Sequence, residues 1–224
     1  MQGVIVLPKI GNKQSLSEQA YRVIKNAILQ NKIKPKDVLN EEALAADLGI
    51  SRTPLRAALK RLEFEHLIYI NSSRQAVVAE FNMEDTAEAY ALRVAVEPFI
   101  VKLLAARGLS KIFDKKLEEN IRRQEQSLEA NNLVDVVASG LEFDLLLAEA
   151  TGNNFFIEVA QRVNIYMQRV LTLSMTHAKD SPLAVKEHRQ MLDAIKEGNG
   201  EGAQRLTLEH LFCGAERLGV KPDV

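Results

Sequence analysis

Residues 40–62 read Asn40-Glu41-Glu42-Ala43-Leu44-Ala45-Ala46-Asp47-Leu48-Gly49-Ile50-Ser51-Arg52-Thr53-Pro54-Leu55-Arg56-Ala57-Ala58-Leu59-Lys60-Arg61-Leu62. The spacing predicts two short helices meeting at a corner. Asn40 has the side chain to cap the first, and Gly49 tolerates the left-handed conformation that ends it. Ser51 is placed to cap the second. Pro54 falls in that helix's first turn, where a missing N–H costs nothing. Ala45 and Ala46 are small enough for the two helices to cross closely. This is the layout of a helix-turn-helix.

At about 100° per residue, Leu55, Leu59 and Leu62 share one narrow sector of the second helix. Arg52, Arg56 and Lys60 form a separate basic stripe, with Thr53 beside it. A merely solvated amphipathic helix would show the same stripe. The residues after the helix argue against that. Leu67–Ile70 and Ala76–Ala79 are short β-rich runs flanking the polar turn Asn71–Gln75, a hairpin pattern. A helix-turn-helix with a hairpin after it is a winged helix, and Arg74 at the wing tip is a candidate phosphate or minor-groove contact.

Upstream, Ser15 and Glu18 read as a helix start, with apolar positions from Leu16 to Ile28 at helical spacing and an end near Gln30. Residues 1–14 are expected to be a flexible arm. Downstream, six helices are expected at about 84–107, 110–130, 133–150, 154–176, 182–197 and 201–218, separated by Gly-, Asn- and Pro-containing breaks. Short connections favour antiparallel neighbours, hence a bundle. The expected fold is mainly α: a winged helix over 1–79, a linker at 80–83, and an all-α antiparallel helical bundle over 84–224.

Charge respects the same division. The whole chain of 224 residues has a net charge of −1. Residues 1–79 hold 12 Lys+Arg against 7 Asp+Glu, a net of +5, and the remainder holds 17 against 23, a net of −6. A basic front half suits an anionic partner. No stretch reaches the roughly 18 uncharged apolar residues of a membrane span. The N-terminus lacks a signal-peptide pattern. The single cysteine, Cys213, cannot make an internal disulfide, and a cytoplasmic setting is expected. Cys213 carries no motif and reads as a small buried apolar residue.

Of four histidines, His66 is read as ending the recognition helix and as structural, and His177 lies near a helix end. His188 and His210 each stand 11 residues from Asn199. An antiparallel hairpin folded there brings them to the same height, about 16 Å from the turn. They are either core histidines satisfied by polar neighbours or members of one site.

The run Leu44–Val78 resembles the DNA-binding domain of the GntR family of bacterial transcription regulators. The matching residues are Leu44-Ala45, Leu48-Gly49-Ile50-Ser51-Arg52-Thr53-Pro54-Leu55-Arg56, Ala58-Leu59, Leu62-Glu63 and Leu67-Ile68. The C-terminal part resembles the helical effector domain of the FadR-like (FCD) branch, through Leu92-Arg93 with Glu97-Pro98, Ala148-Glu149-Ala150-Thr151-Gly152-Asn153 and Glu187-His188-Arg189. The resemblance implies a homodimeric regulator of operator DNA whose affinity is set by a small carboxylate metabolite. Arg52, Thr53 and Arg56 match the family's recognition contacts. Gln75 stands where the family usually has glycine, so the wing tip is expected to be shaped differently. The resemblance makes His188 and His210 metal ligands, usually joined by an Asp-x-x-x-His pair; here Gly140 and Asp144 occupy those two places. It implies a divalent metal, zinc or nickel foremost, on Asp144, His188 and His210. Arg93 matches a pocket arginine. An anion pocket of Arg93, His188 and His210 without metal is the other option. Asp/His/His with an open position would also suit a hydrolase, but no HExxH, nucleophile elbow or phosphate-binding glycine loop occurs.

Overall fold

The computed structural model describes residues 15–80, 82–174 and 181–222. The arm expected over 1–14 and the candidate His177 lie outside the described residues. The chain divides into two compact units, one built from residues up to Val78 except Leu29–Lys32, the other from Ala79 onward together with Leu29–Lys32.

In the first unit, α1 spans Leu16–Leu29, α2 Glu41–Asp47 and α3 Arg52–Phe64. The Asn40 side chain accepts from the Glu42 and Ala43 N–H groups and so caps α2. Gly49 takes φ 63, the left-handed turn that lets α3 start in a new direction. Ser51 occupies the cap position of α3, but its side chain makes no cap hydrogen bond. Leu55, Ala58, Leu59 and Leu62 are buried on one side of α3. Ile24 and Ile28 of α1 are buried as well.

The hairpin is β2 (Ile68–Ile70) and β3 (Ala76–Val78), paired antiparallel with Ile70 opposite Ala76. A further strand, β1 (Val38–Leu39), adds to the other edge of β3, giving the order β1-β3-β2. The sequence pattern gives no sign of β1, because two residues carry no alternation to read. With both its edges paired, β3 is buried at all three residues.

The second unit is helical. It comprises α4 (Met83–Arg107), α5 (Lys111–Glu129), α6 (Leu133–Ala150), α7 (Asn154–Leu173), α8 (Ser181–Lys196) and α9 (Gly200–Arg217). Asparagine or serine side chains cap α4, α5, α6, α7 and α9, at Asn82, Ser110, Asn132, Asn153 and Asn199. Helix α4 packs along α9, α5 against α6, α6 against α7, and α8 against α9. One apolar cluster joins Ile100, Leu104, Leu117, Ile121, Phe143 and Leu192. Another joins Tyr90, Leu141, Val163, Met167 and Leu211. Polar groups are buried in the same unit: Arg93, Asn120, Gln124, Ser139, His188 and Thr207. Among the described residues, no helix is long and apolar enough to cross a membrane. Cys213 is exposed, against the expectation of a buried thiol, because it faces outward from the last helix of the bundle.

Candidate functional site

Two places in the molecule carry chemistry. The first is the outer face of α3. Arg52, Thr53, Arg56 and Lys60 are all exposed there, while the leucines that share the helix are buried. The arginines are held from α2: Arg52 Nη2 lies 3.0 Å from Glu42 Oε2, and Arg56 Nε donates to Glu41 Oε2 at 2.8 Å. Both pairs are solvent-exposed, so each contributes little to stability. They do orient the guanidinium groups. Sequence reasoning misses Glu41 and Glu42, since residues 15 and 10 apart reveal a contact only once the corner between the helices is built.

The far end of α3 is fastened to α1. Arg61 Nη1 donates to Glu18 Oε2 at 2.6 Å and its guanidinium lies 3.7 Å above the Tyr21 ring. The Tyr21 hydroxyl donates to Glu65, which also accepts from Lys25 Nζ at 2.9 Å. Burial and the Glu65 carboxylate push the Tyr21 phenol well above its ordinary range, so it remains a neutral donor.

At the wing tip Arg74 is exposed and itself adopts φ 59. This removes the need for glycine at 75. Gln75 instead locks the turn: its N–H donates to Asn71 Oδ1 at 2.9 Å, and its Oε1 accepts from Asn71 Nδ2 at 3.2 Å.

The second place lies inside the helical unit. Arg93 on α4 has a side chain only 4% exposed. It donates through Nε to Glu97 Oε1 at 2.6 Å and through Nη2 to Asp144 Oδ2 at 2.8 Å. Glu97 sits one turn along α4, the i,i+4 spacing at which such a pair is readable from sequence. Burial and the neighbouring Glu97 carboxylate raise the Asp144 carboxyl, with Arg93 opposing.

The hairpin of α8 and α9 brings the His188 and His210 rings to 4.8 Å between centroids. Each Nδ1 is engaged: His188 with Gln124 Oε1 at 2.8 Å, His210 with Glu187 Oε2 at 2.6 Å. A chain of bonds sets the His188 tautomer. The Ser139 carbonyl accepts from Asn120 Nδ2, so Asn120 Oδ1 is left to accept from Gln124 Nε2. Gln124 Oε1 is then the acceptor for His188, whose Nδ1 carries the proton. Nε2 is a bare lone pair, buried and without a partner among the described residues. Burial, with His210 and Arg93 close by, holds this imidazole well below its ordinary value. The ring also stacks on Phe143 at 4.8 Å.

The divalent ion expected from the resemblance is tested by these donors. Histidines anchored through Nδ1 have the outer-shell arrangement that metal sites use. The rest of the set fails. Gly140 supplies no donor, and Asp144 is committed to a guanidinium beside which a divalent cation would be repelled. Among the described residues, no group of three or more His, Cys, Asp or Glu side chains able to hold a metal ion forms. The expected set Asp144, His188 and His210 therefore does not fit a zinc or nickel ion.

The alternative, an anion pocket on Arg93, is closed as the structure stands. Arg93 already carries two carboxylates. The cavity lined by Glu97, Asp144, Thr207 and His210 measures about 10 Å³, roughly what one water needs. A carboxylate does not fit beside Arg93 without displacing one of its partners.

Comparison with known proteins gives two family matches along the chain. Residues 16–78 match the family "Bacterial regulatory proteins, gntR family", and residues 88–212 match the FCD domain. The HTH-type transcriptional regulator YdhC of Bacillus subtilis is 26% identical over 205 residues, covering 89% of each chain. The HTH-type transcriptional repressor RspR of Escherichia coli is 23% identical, covering 88% of this chain and 86% of its own. A solved transcriptional regulator GntR from Rhodococcus sp. RHA1 superposes with a TM-score of 0.81 at 21% identity, over 91% of this chain and 97% of that one.

Proposed function

The chain belongs to the gntR family of bacterial regulatory proteins, with an FCD domain over its helical part, and on that premise we propose that it binds operator DNA as a homodimer and is switched by a small carboxylate held in the helical unit. The observation that carries the DNA reading is α3, with Arg52, Thr53, Arg56 and Lys60 exposed on one face and Leu55, Leu59 and Leu62 buried on the other. In a dimer two such helices enter successive major grooves of a pseudo-palindromic site. Arg52 and Arg56 are the base or phosphate readers, Thr53 and Lys60 flank them, and Arg74 reaches the backbone from the wing.

The effector's carboxylate takes the place of the Asp144 carboxylate on Arg93. Burial and Glu97 raise the Asp144 carboxyl above its ordinary range, so a displaced Asp144 takes up a proton readily and the exchange adds no net charge to the interior. His188 and His210 line the approach. The ligand shifts DNA affinity by the difference in its binding free energy between the two states of the protein. The cytoplasm is the setting that DNA binding requires. A hydrolase built on Asp144, His188 and His210 is disfavoured, because Arg93 holds the carboxylate that such a site would need, and because the relatives named above are transcription regulators.

Fluorescence anisotropy with DNA from the protein's own promoter region tests the reading. Arg52→Ala and Arg56→Ala are each expected to reduce the preference for specific over scrambled DNA while leaving Tm unchanged. Retained preference in both variants refutes it. For the effector, a panel of small mono- and dicarboxylates is screened for release of that DNA; the active acid is expected to lose its effect in Arg93→Lys.

A further inference from the structure

Position 144 faces Arg93 with a carboxylate, and position 140 has no side chain. Together these change what the interior of the helical unit holds. The four helices α4, α5, α6 and α8 converge on one polar set. Arg93 and Glu97 come from α4, Asn120 and Gln124 from α5, Ser139, Gly140 and Asp144 from α6, and His188 from α8. The only permanent cation among these groups is Arg93, and it bridges α4 to α6. His188 keeps a fully ordered tautomer, yet its Nε2 lone pair has no partner among the described residues. A Cβ built at Gly140 would stand 3.3 Å from His188 Cε1, the ring atom next to that lone pair. A longer side chain at 140 would therefore run along that edge of the imidazole.

We propose that this helical unit is independent of any bound metal ion, with the Arg93 guanidinium serving as an internal cation, and that residues 140 and 144 are the two positions that decide it. The guanidinium supplies the positive charge that draws Glu97 and Asp144 inward, and it binds in a fixed bidentate geometry that no exchangeable ion matches. Asp144, bound to Arg93, is removed from any coordination sphere. Gly140 offers nothing to complete one. The ring nitrogens of His188 and of His210, which comes from α9, are too few to retain a divalent ion against a neighbouring fixed positive charge. The inference does not depend on which effector, if any, the unit binds.

Metal content and thermal melting of the untagged protein test it. The wild type is expected to purify without stoichiometric zinc, nickel or manganese, and its Tm is expected to be unmoved by chelator or by any of the three ions. Gly140→Asp combined with Asp144→His supplies two donors and releases Arg93 to Glu97. The new Cβ at 140 by itself requires His188 to give by a few tenths of an ångström. That variant is expected to take up about one ion per chain, with Tm raised by about 5–10 °C at an ion concentration a hundredfold above Kd. If the double variant does not fold, Asp144→His alone carries the test, with weaker uptake than the double variant, but above that of the wild type, and a smaller Tm rise expected. A wild type that holds one ion per chain, or that loses Tm with chelator, overturns the proposal. So does a folded variant that takes up none.

Discussion

The winged-helix unit and the helical unit both rely on arginine–carboxylate pairs, yet they use them in opposite ways. On α3 the side chains of Arg52 and Arg56 are 55% and 63% exposed. Their pairs with Glu42 and Glu41 sit in water, are screened by salt, and come apart at little cost. In the bundle, Arg93 is 4% exposed and its partner Asp144 10%. There the pair is shielded from solvent, and leaving one member alone is costly. The same chemistry thus serves exchange at the surface and cohesion in the interior, and burial decides which.

Five substitutions put that contrast to the test. The largest effect is expected from Arg93→Met, which strands Glu97 and Asp144. Chemical denaturation should show about 3–5 kcal/mol lost. Arg56→Ala should leave stability within about 0.5 kcal/mol but weaken specific DNA binding by about 1–3 kcal/mol, read by anisotropy against a scrambled duplex. A loss of stability as large as that from Arg93→Met would erase the distinction between the units.

The third concerns His188. Its folded-state proton affinity is held low by burial, with His210 and Arg93 adding to it. The unfolded chain therefore binds a proton below about pH 6.5 that the folded chain refuses, and stability falls as pH falls through that window, by at most about 1.4 kcal/mol per unit. Asp144, held high, acts in the opposite sense: the folded carboxyl keeps a proton that the unfolded one releases. The measurement is accordingly the difference between wild type and His188→Gln across pH 5–7, which should grow toward neutral pH. Asn40→Ala removes two cap bonds from α2 and should cost about 1 kcal/mol. Glu41→Gln is the smallest: Tm should be unmoved, with a measurable change only in DNA binding.

Much of the molecule is legible in its residues alone. The corner at Gly49, the cap at Asn40 and the leucine face of α3 are local features, governed by backbone sterics and helical period. The bundle breaks are equally local, and the observed helices begin and end within three residues of the expected positions where described. The meeting of His188 and His210 is reached by counting outward from Asn199. What spacing does not convey is pairing across elements. Nothing in a linear sequence links Arg93 to Asp144, 51 residues away, or His188 to Gln124, 64 residues away. From sequence Asp144 therefore reads as a ligand, whereas the structure makes it a counter-ion. Likewise Gln75 reads as a departure that alters the wing, whereas Arg74 takes up the left-handed conformation and Gln75 ties the turn shut.

The contacts from Glu41 and Glu42 to the recognition-helix arginines bear on how binding should respond to ionic strength. An arginine that leaves a carboxylate for a phosphate releases a condensed cation from DNA, but the carboxylate left behind recruits one from solution. The slope of log affinity against log salt then counts fewer ions than there are arginines at the interface. Neutralising Glu41 restores the missing ion and steepens that slope. On the proposed reading of α3, two carboxylates outside the DNA contact would make recognition less sensitive to the cell's changing salt.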